Sequence, residues 1–312
     1  MPTIPVNNAN TQSIPVASGT TGTIGAISAE SVITEVESLF ALPDAAIQLS
    51  ALLSDPDTTN IQIVDIISID PALSARVLKL VNSAYFGLNE SVGTISRAVA
   101  VLGRSPLHSL VLATSAGLAF ENMSSELVDM EKFWKRSVYA ALAAGSLASR
   151  GGPRLRERVF LAALLHQVGQ LVMYHHLPEI SNQVLAAVAR GEDRASSEYA
   201  LLGFTHADLG ATLLEHWKLP VALTEPVRYQ ERSSAAPDHA REAAIVHLAS
   251  LIAQHMELNL ANTETASKFD VDAELWAQAN CNPEILDSVI EEVDLNWFQV
   301  ISLIAPNAML IY

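Results

Sequence analysis

The sequence predicts an all-α protein, a compact multi-helix bundle. Half of the residues are hydrophobic but only 6% are aromatic, a composition that fits helices packed through small and branched aliphatic side chains. Apolar residues recur at three- and four-residue intervals in several segments, which is the spacing of one helix face. No segment shows the sustained alternation of a half-buried strand.

The first strong helix follows Asp70-Pro71, where a short acidic side chain precedes proline at the first helical position. Asn82, Ser83 and Gly87 mark its end. Its apolar stripe consists of Leu73, Val77, Leu80, Val81 and Ala84. Tyr85 and Phe86, which end this segment, are interpreted as core aromatics, and the alternative is an exposed knob that contacts a partner.

A second amphipathic helix covers residues 161–172, and three polar residues lie off its apolar stripe, namely His166, Gln167 and Gln170. Further helices are predicted near residues 130–149, 205–218 and 239–257. His175 and His176 are expected to cap carbonyls at a helix end. His206 and Asp208 open another helix, where an acidic side chain in the first turn is favourable.

Three regions follow from the pattern. Residues 1–28 carry no charge and no apolar periodicity, so we expect a flexible N-terminal tail. Residues 29–258 form the predicted helical domain. Residues 259–312 form an acidic helical extension that is expected to pack on it.

The chain is expected to be cytoplasmic. Its longest nearly apolar stretch, residues 110–120, is far shorter than the roughly 20 residues that span a bilayer, and its N-terminal region lacks the basic start of a secretory signal. The single cysteine, Cys281, cannot form an internal disulfide. We therefore expect no membrane partner.

The formal net charge is −16, and it is unevenly distributed. Residues 1–75 contribute −8, residues 76–241 contribute +2 and residues 242–312 contribute −10. Acidic ends disfavour nucleic-acid binding, which requires Lys and Arg to neutralise phosphates. A local basic cluster that includes Arg154, Arg156 and Arg158 is the candidate contact for an anion or an acidic partner, although a solvated surface explains it equally simply.

Several segments together resemble the HDOD family. The most specific is DPALSARVLKLVNSAYFGL at residues 70–88, and the others include LAALLHQVGQLVM, LLGFTHADLGATLLEHWKLP and AIVHLASLIA. The resemblance extends over roughly residues 35–255. The residues of the first segment that carry the family motif are Asp70, Pro71, Asn82, Ser83, Phe86 and Gly87.

The resemblance implies an all-α domain related to HD-type metal-dependent phosphohydrolases and used in bacterial signal transduction. An HD hydrolase holds its metal with a His, a His-Asp pair and a distant Asp. The matching positions here are Arg136, His166, Gln167 and Ser250, so only the second His remains. We expect no bound metal, no cofactor and no catalysis at this vestigial pocket.

Two functions stay open on this basis. The first is a non-catalytic output or scaffolding module that binds signalling proteins. The second is a phosphohydrolase that acts on a nucleotide or cyclic dinucleotide, which the substitutions at Arg136, Gln167 and Ser250 disfavour. The planar donors of Arg136 are also suited to a small anion.

Overall fold

The computed structural model describes residues 27–53, 55, 57–83, 88, 90–121, 123, 126–261 and 269–305. The first helices are α1 (Ala29–Val36), α2 (Asp44–Leu53), α3 (Asn60–Ile69), α4 (Pro71–Val81), α5 (Ile95–Leu102), α6 (Arg104–Ala119), α7 (Met130–Leu147) and α8 (Pro153–Leu165). The remaining helices are α9 (Val168–His176), α10 (Pro178–Ala189), α11 (Arg194–Leu202), α12 (His206–His216), α13 (Val221–Arg228), α14 (Ala240–Ala261), α15 (Ala273–Ala279) and α16 (Leu286–Ile304). The described residues contain no strand, and the predicted all-α fold is confirmed.

The start and end of α4 show how the family motif works locally. The Asp70 carboxylate accepts hydrogen bonds from the backbone N–H groups of Ala72 and Leu73, at 2.8 and 3.1 Å, and Pro71 occupies the first turn. The Asn82 side chain bonds both the N–H and the carbonyl of Val92. Asn82 therefore ties the end of α4 to the segment that leads into α5.

The structure gives less information about the other residues of the family motif. Ser83 is buried. Phe86 and Gly87, like Tyr85, lie outside the described residues. The expectation that Phe86 is a core residue therefore stays a prediction.

Helix α7 is the centre of the bundle. It is buried along most of its length, and α8, α14 and α16 pack against it. The four alanines at positions 140, 141, 143 and 144 are fully buried, and their short side chains let neighbouring helices approach closely. Near the start of α7, Arg136 reaches α14 and pairs there with Glu257.

The two ends of the chain adjoin this bundle. Ser28 caps α1 through a reciprocal pair of hydrogen bonds with Ser31. Helix α14 continues past the predicted boundary at residue 258, to Ala261. In α16, the Trp297 ring packs edge-on against Tyr139 of α7, with ring centres 5.7 Å apart. Within the part of the chain that the structure describes, no helix is long and apolar enough to cross a membrane.

Candidate functional site

His166 is fully buried at the end of α8 and makes a hydrogen bond with each ring nitrogen. Nδ1 lies 2.6 Å from the carbonyl oxygen of Ala163, and Nε2 lies 3.0 Å from the Ser250 hydroxyl on α14. A carbonyl only accepts, so Nδ1 carries the proton and Nε2 accepts from Ser250. Burial lowers the pKa of His166 to about 3, and the ring is therefore neutral.

This arrangement uses the lone pair with which an imidazole would bind a metal. The neighbouring Gln167 is an uncharged amide and contributes no anionic ligand. Among the described residues, no group of three or more His, Cys, Asp and Glu side chains has the placement to hold a metal ion. The residues present do not fit a divalent cation.

Arg136, on α7, forms an ion pair with Glu257 on α14. Its Nε and Nη2 atoms lie 2.8 and 2.5 Å from the same carboxylate oxygen, Oε2. The Arg136 guanidinium, which was expected to suit a small anion, thus already contacts the Glu257 carboxylate. The partner lies 121 positions along the chain, which is why the local sequence gave no sign of it.

These residues border a polar cleft with a volume of about 1110 Å³. Three of the four predicted positions, Arg136, Gln167 and Ser250, line the cleft, and His166 lies behind Ser250. The fold therefore brings the predicted pocket residues together. Other polar residues that line it are Gln170, Glu192, Asp193, Arg194, Ser196, Tyr199, Thr205, His206, Arg228, Gln230, Glu231, Arg232, His247 and Gln254.

His206, which lines the cleft, forms a buried ion pair with Glu198 that the sequence did not predict. The backbone N–H and the Nδ1 atom of His206 lie 2.8 and 2.7 Å from one oxygen of Glu198. On the opposite side of the ring, Nε2 lies 3.9 Å from Glu231. Burial disfavours the charged imidazole, but the Glu198 carboxylate outweighs burial and raises the pKa of His206. His206 and Glu198 are therefore held as an imidazolium–carboxylate pair.

Sequence reasoning explained only the turn around this pair. Thr205 and Asp208 form the predicted helix cap by reciprocal hydrogen bonds, so the interpretation of Asp208 is confirmed. His206 belongs to the same turn but points to Glu198 of another helix. One feature of the sequence could have pointed to this pair. Residues 194–202 have a weak apolar pattern and contain a single glutamate, Glu198.

Two arginines at the cleft are held by carboxylates that do not line it. Asp208 lies 3.1 Å from Arg232 and 3.9 Å from Arg228, and Glu215 lies 2.8 Å from Arg228. These contacts fix the orientation of both guanidinium groups.

The basic cluster near residue 154 lies away from the cleft. Arg156 pairs with Glu292 of α16 at 3.1 Å, Arg158 pairs with Glu242 of α14 at 2.9 Å, and Arg154 is exposed. The acidic partners come from distant parts of the chain, so the local excess of positive charge is largely neutralised in the fold.

The expectation that His175 and His176 cap a helix end is wrong. The His176 Nε2 atom lies 2.8 Å from the Glu35 carboxylate of α1. The His175 ring packs edge-on against Phe40, with ring centres 5.6 Å apart. Both histidines therefore connect α9 to the N-terminal segment.

Comparison with known proteins agrees with the all-α fold. The HDOD domain model matches residues 39–233. A crystal structure from Shewanella amazonensis SB2B, named "Putative phosphohydrolase", is 28% identical, covers 89% of this chain and 97% of its own, and has a TM-score of 0.69. An HDOD domain protein of unknown function from Geobacter sulfurreducens is 22% identical, with 90% and 98% coverage and a TM-score of 0.64.

An uncharacterised protein of Treponema pallidum (strain Nichols) is 28% identical over 211 residues. The match covers 67% of this chain but only 41% of that relative. Because the family model covers more than half of the chain, and the all-α fold matches that of an HDOD protein of known structure, the chain belongs to the HDOD domain family.

Proposed function

We propose that this chain is a non-catalytic output or scaffolding module of a bacterial signalling pathway, and that it acts by binding signalling proteins. The observation that supports this most strongly is the hydrogen bond from the Ser250 hydroxyl to Nε2 of His166. A hydrolytic HD site needs that lone pair for a metal that activates water. Here a neutral side chain takes the place of the metal.

The competing function is metal-dependent phosphohydrolysis, as the name of the Shewanella relative suggests for that protein. The other substitutions argue against it. Arg136 introduces a permanent positive charge where a cation would bind, and its counter-charge Glu257 is engaged with it. Gln167 removes the carboxylate of the His-Asp pair.

The test is an activity assay of the full chain with bis(p-nitrophenyl) phosphate, nucleoside triphosphates and a cyclic dinucleotide, each with Mn²⁺, Fe²⁺ or Zn²⁺. We expect no turnover above that of a His166→Ala variant. Turnover that depends on His166 would establish the hydrolase and refute the proposal.

The protein-binding part needs its own experiment. Tagged full-length chain is used to capture proteins from a lysate of the source bacterium, and each candidate is then purified and titrated. We expect a signalling protein to bind saturably. If every captured protein fails to bind once purified, the interaction role is rejected.

A further inference from the structure

Helix α11 forms one wall of the polar cleft but is weakly attached to the rest of the protein. Arg194, Ser196 and Tyr199 of this helix line the cleft. Its extensive contacts are with α10. Tyr199 and Leu201 are largely exposed, so this helix contributes little apolar burial to the fold.

The one buried residue of α11 is an acid. Glu198 has no exposed surface, and no other residue of the helix is buried. One carboxylate oxygen accepts both hydrogen bonds from His206 at the start of α12. The other oxygen has no hydrogen-bond partner among the described residues, and the nearest cation is Arg194 at 3.9 Å. Two weaker contacts also join α11 to its surroundings, a hydrogen bond of 3.4 Å from Arg194 to the Tyr174 hydroxyl and the partly buried side chain of Leu202. The Glu198–His206 pair is therefore the one fully buried attachment of α11 among the described residues.

Both ends of α11 also contain a glycine in the left-handed region. Gly191 precedes the helix with φ +89°, and Gly203 follows it with φ +77°. Other residues rarely adopt this conformation, whereas glycine reaches it without strain. Residues of this kind at element ends are able to absorb the backbone rotation of a hinged segment.

From these observations we propose that α11 is a hinged lid over the cleft, and that the Glu198–His206 ion pair is the latch that holds it closed. Opening the latch uncovers the cleft floor, where Gln167 and Gln170 are more than nine-tenths buried. The lid thus controls access of a small ligand to a cavity that no longer has HD chemistry. The proposal is independent of whether the chain binds signalling proteins.

The latch should respond to pH with a definite sign. The folded-state pKa of His206 is raised, so the pair contributes its full stability below the unfolded value of about 6.5 and loses it as pH rises through the raised value. The charged or titratable groups around the ring are Glu198, Arg194, Asp193, Glu231 and His166. Burial raises the pKa of the Glu231 carboxyl group, and it lowers the pKa of His166 to about 3, so that His166 stays neutral. We assign the expected response to His206, because its imidazole makes both hydrogen-bonded and ionic contact with Glu198.

Hydrogen–deuterium exchange of the full chain, corrected for intrinsic rates, tests the lid. The variant Glu198→Gln keeps the shape of the side chain but removes its charge. We expect it to accelerate exchange in residues 194–202 by about tenfold or more while α14 keeps its protection. Glu284→Gln is the matched control, because Glu284 is an exposed acid near the start of α16, away from the cleft, where it accepts a hydrogen bond from Asn282. It should leave α11 unchanged.

The pH dependence of exchange in the wild-type chain is a second test, and it needs no variant. Corrected exchange of α11 should increase between about pH 6 and about pH 8, and this increase should be absent in Glu198→Gln. The proposal is overturned if exchange in α11 changes less than about twofold in Glu198→Gln, or if α11 and α14 become unprotected together. If Glu198→Gln does not fold, the wild-type measurement decides. The proposal is then overturned if exchange in α11 of the wild-type chain does not increase over this pH range.

Discussion

The Ser250 hydroxyl on α14 donates to Nε2 of His166, a ring that is buried completely and reaches Ala163 with its other nitrogen. The hydrogen bond between these two side chains joins the end of α8 to α14. In an HD hydrolase the corresponding histidine binds a metal. In this chain both ring nitrogens of His166 form hydrogen bonds with protein groups. His166 is therefore a fully buried residue with both ring nitrogens bonded inside the protein.

Ser250→Ala should destabilise the fold by about 1–3 kcal/mol, because it leaves the buried Nε2 acceptor without a donor. Urea unfolding followed by circular dichroism measures the change. Ser288→Ala in α16 is the control, since Ser288 is exposed and its hydroxyl bonds only the Ile285 carbonyl of the preceding turn. If both variants are equally stable, the hydroxyl does not satisfy the imidazole.

Gly169→Ala should destabilise the protein by roughly 1–3 kcal/mol or more, since overpacking against backbone atoms is not easily relieved. A Cβ at this position would collide with the His206 carbonyl oxygen and would approach the Gly210 nitrogen to 2.6 Å. Gly93→Ala is the control, because no atom of the described residues lies within 4 Å of its Cβ position. Equal melting temperatures for the two variants would contradict the close approach of α9 and α12.

Deleting residues 1–27 should leave the melting temperature unchanged, as their lack of charge and apolar periodicity predicts. Residues 1–26 lie outside the described residues. Ser28→Ala, in contrast, should cost about 1 kcal/mol because it removes the cap of α1. A lower melting temperature of the deletion variant, compared with full-length chain, would show that the tail contributes to the fold.

Arg154→Glu should leave stability within about 0.5 kcal/mol of wild type, as an exposed substitution does. Arg156→Glu should be more destabilising, since it places a second carboxylate beside Glu292. The single variant Arg154→Glu is therefore the cleaner probe of an acidic partner. Once a partner is purified, a reduced association rate and a weaker salt dependence would support this contact, and unchanged binding would exclude it.

The sequence predicted what depends on local spacing. The Asp70 cap and the Thr205–Asp208 turn follow from neighbours within a few positions. The single helix predicted over residues 161–172 is wrong, because a turn at His166 and Gln167 separates α8 from α9 and all three polar residues are buried. The site geometry depends on contacts between distant segments. Arg136 pairs with Glu257, and Glu198 pairs with His206 of the following helix. The charges of the separate segments could not show which of these groups pair.

The most direct test of the central claim is metal binding at the former HD site. Full-length chain purified without chelator, then titrated with Mn²⁺, Fe²⁺ and Zn²⁺, is measured by calorimetry and elemental analysis. The triple variant Arg136→His, Gln167→Asp, Ser250→Asp serves as the matched control, because it restores the ligand types that an HD site uses. We predict that the wild-type chain retains well under about 0.1 metal ion per chain and that the triple variant binds more. About one metal ion per wild-type chain, lost in His166→Ala, would contradict the account.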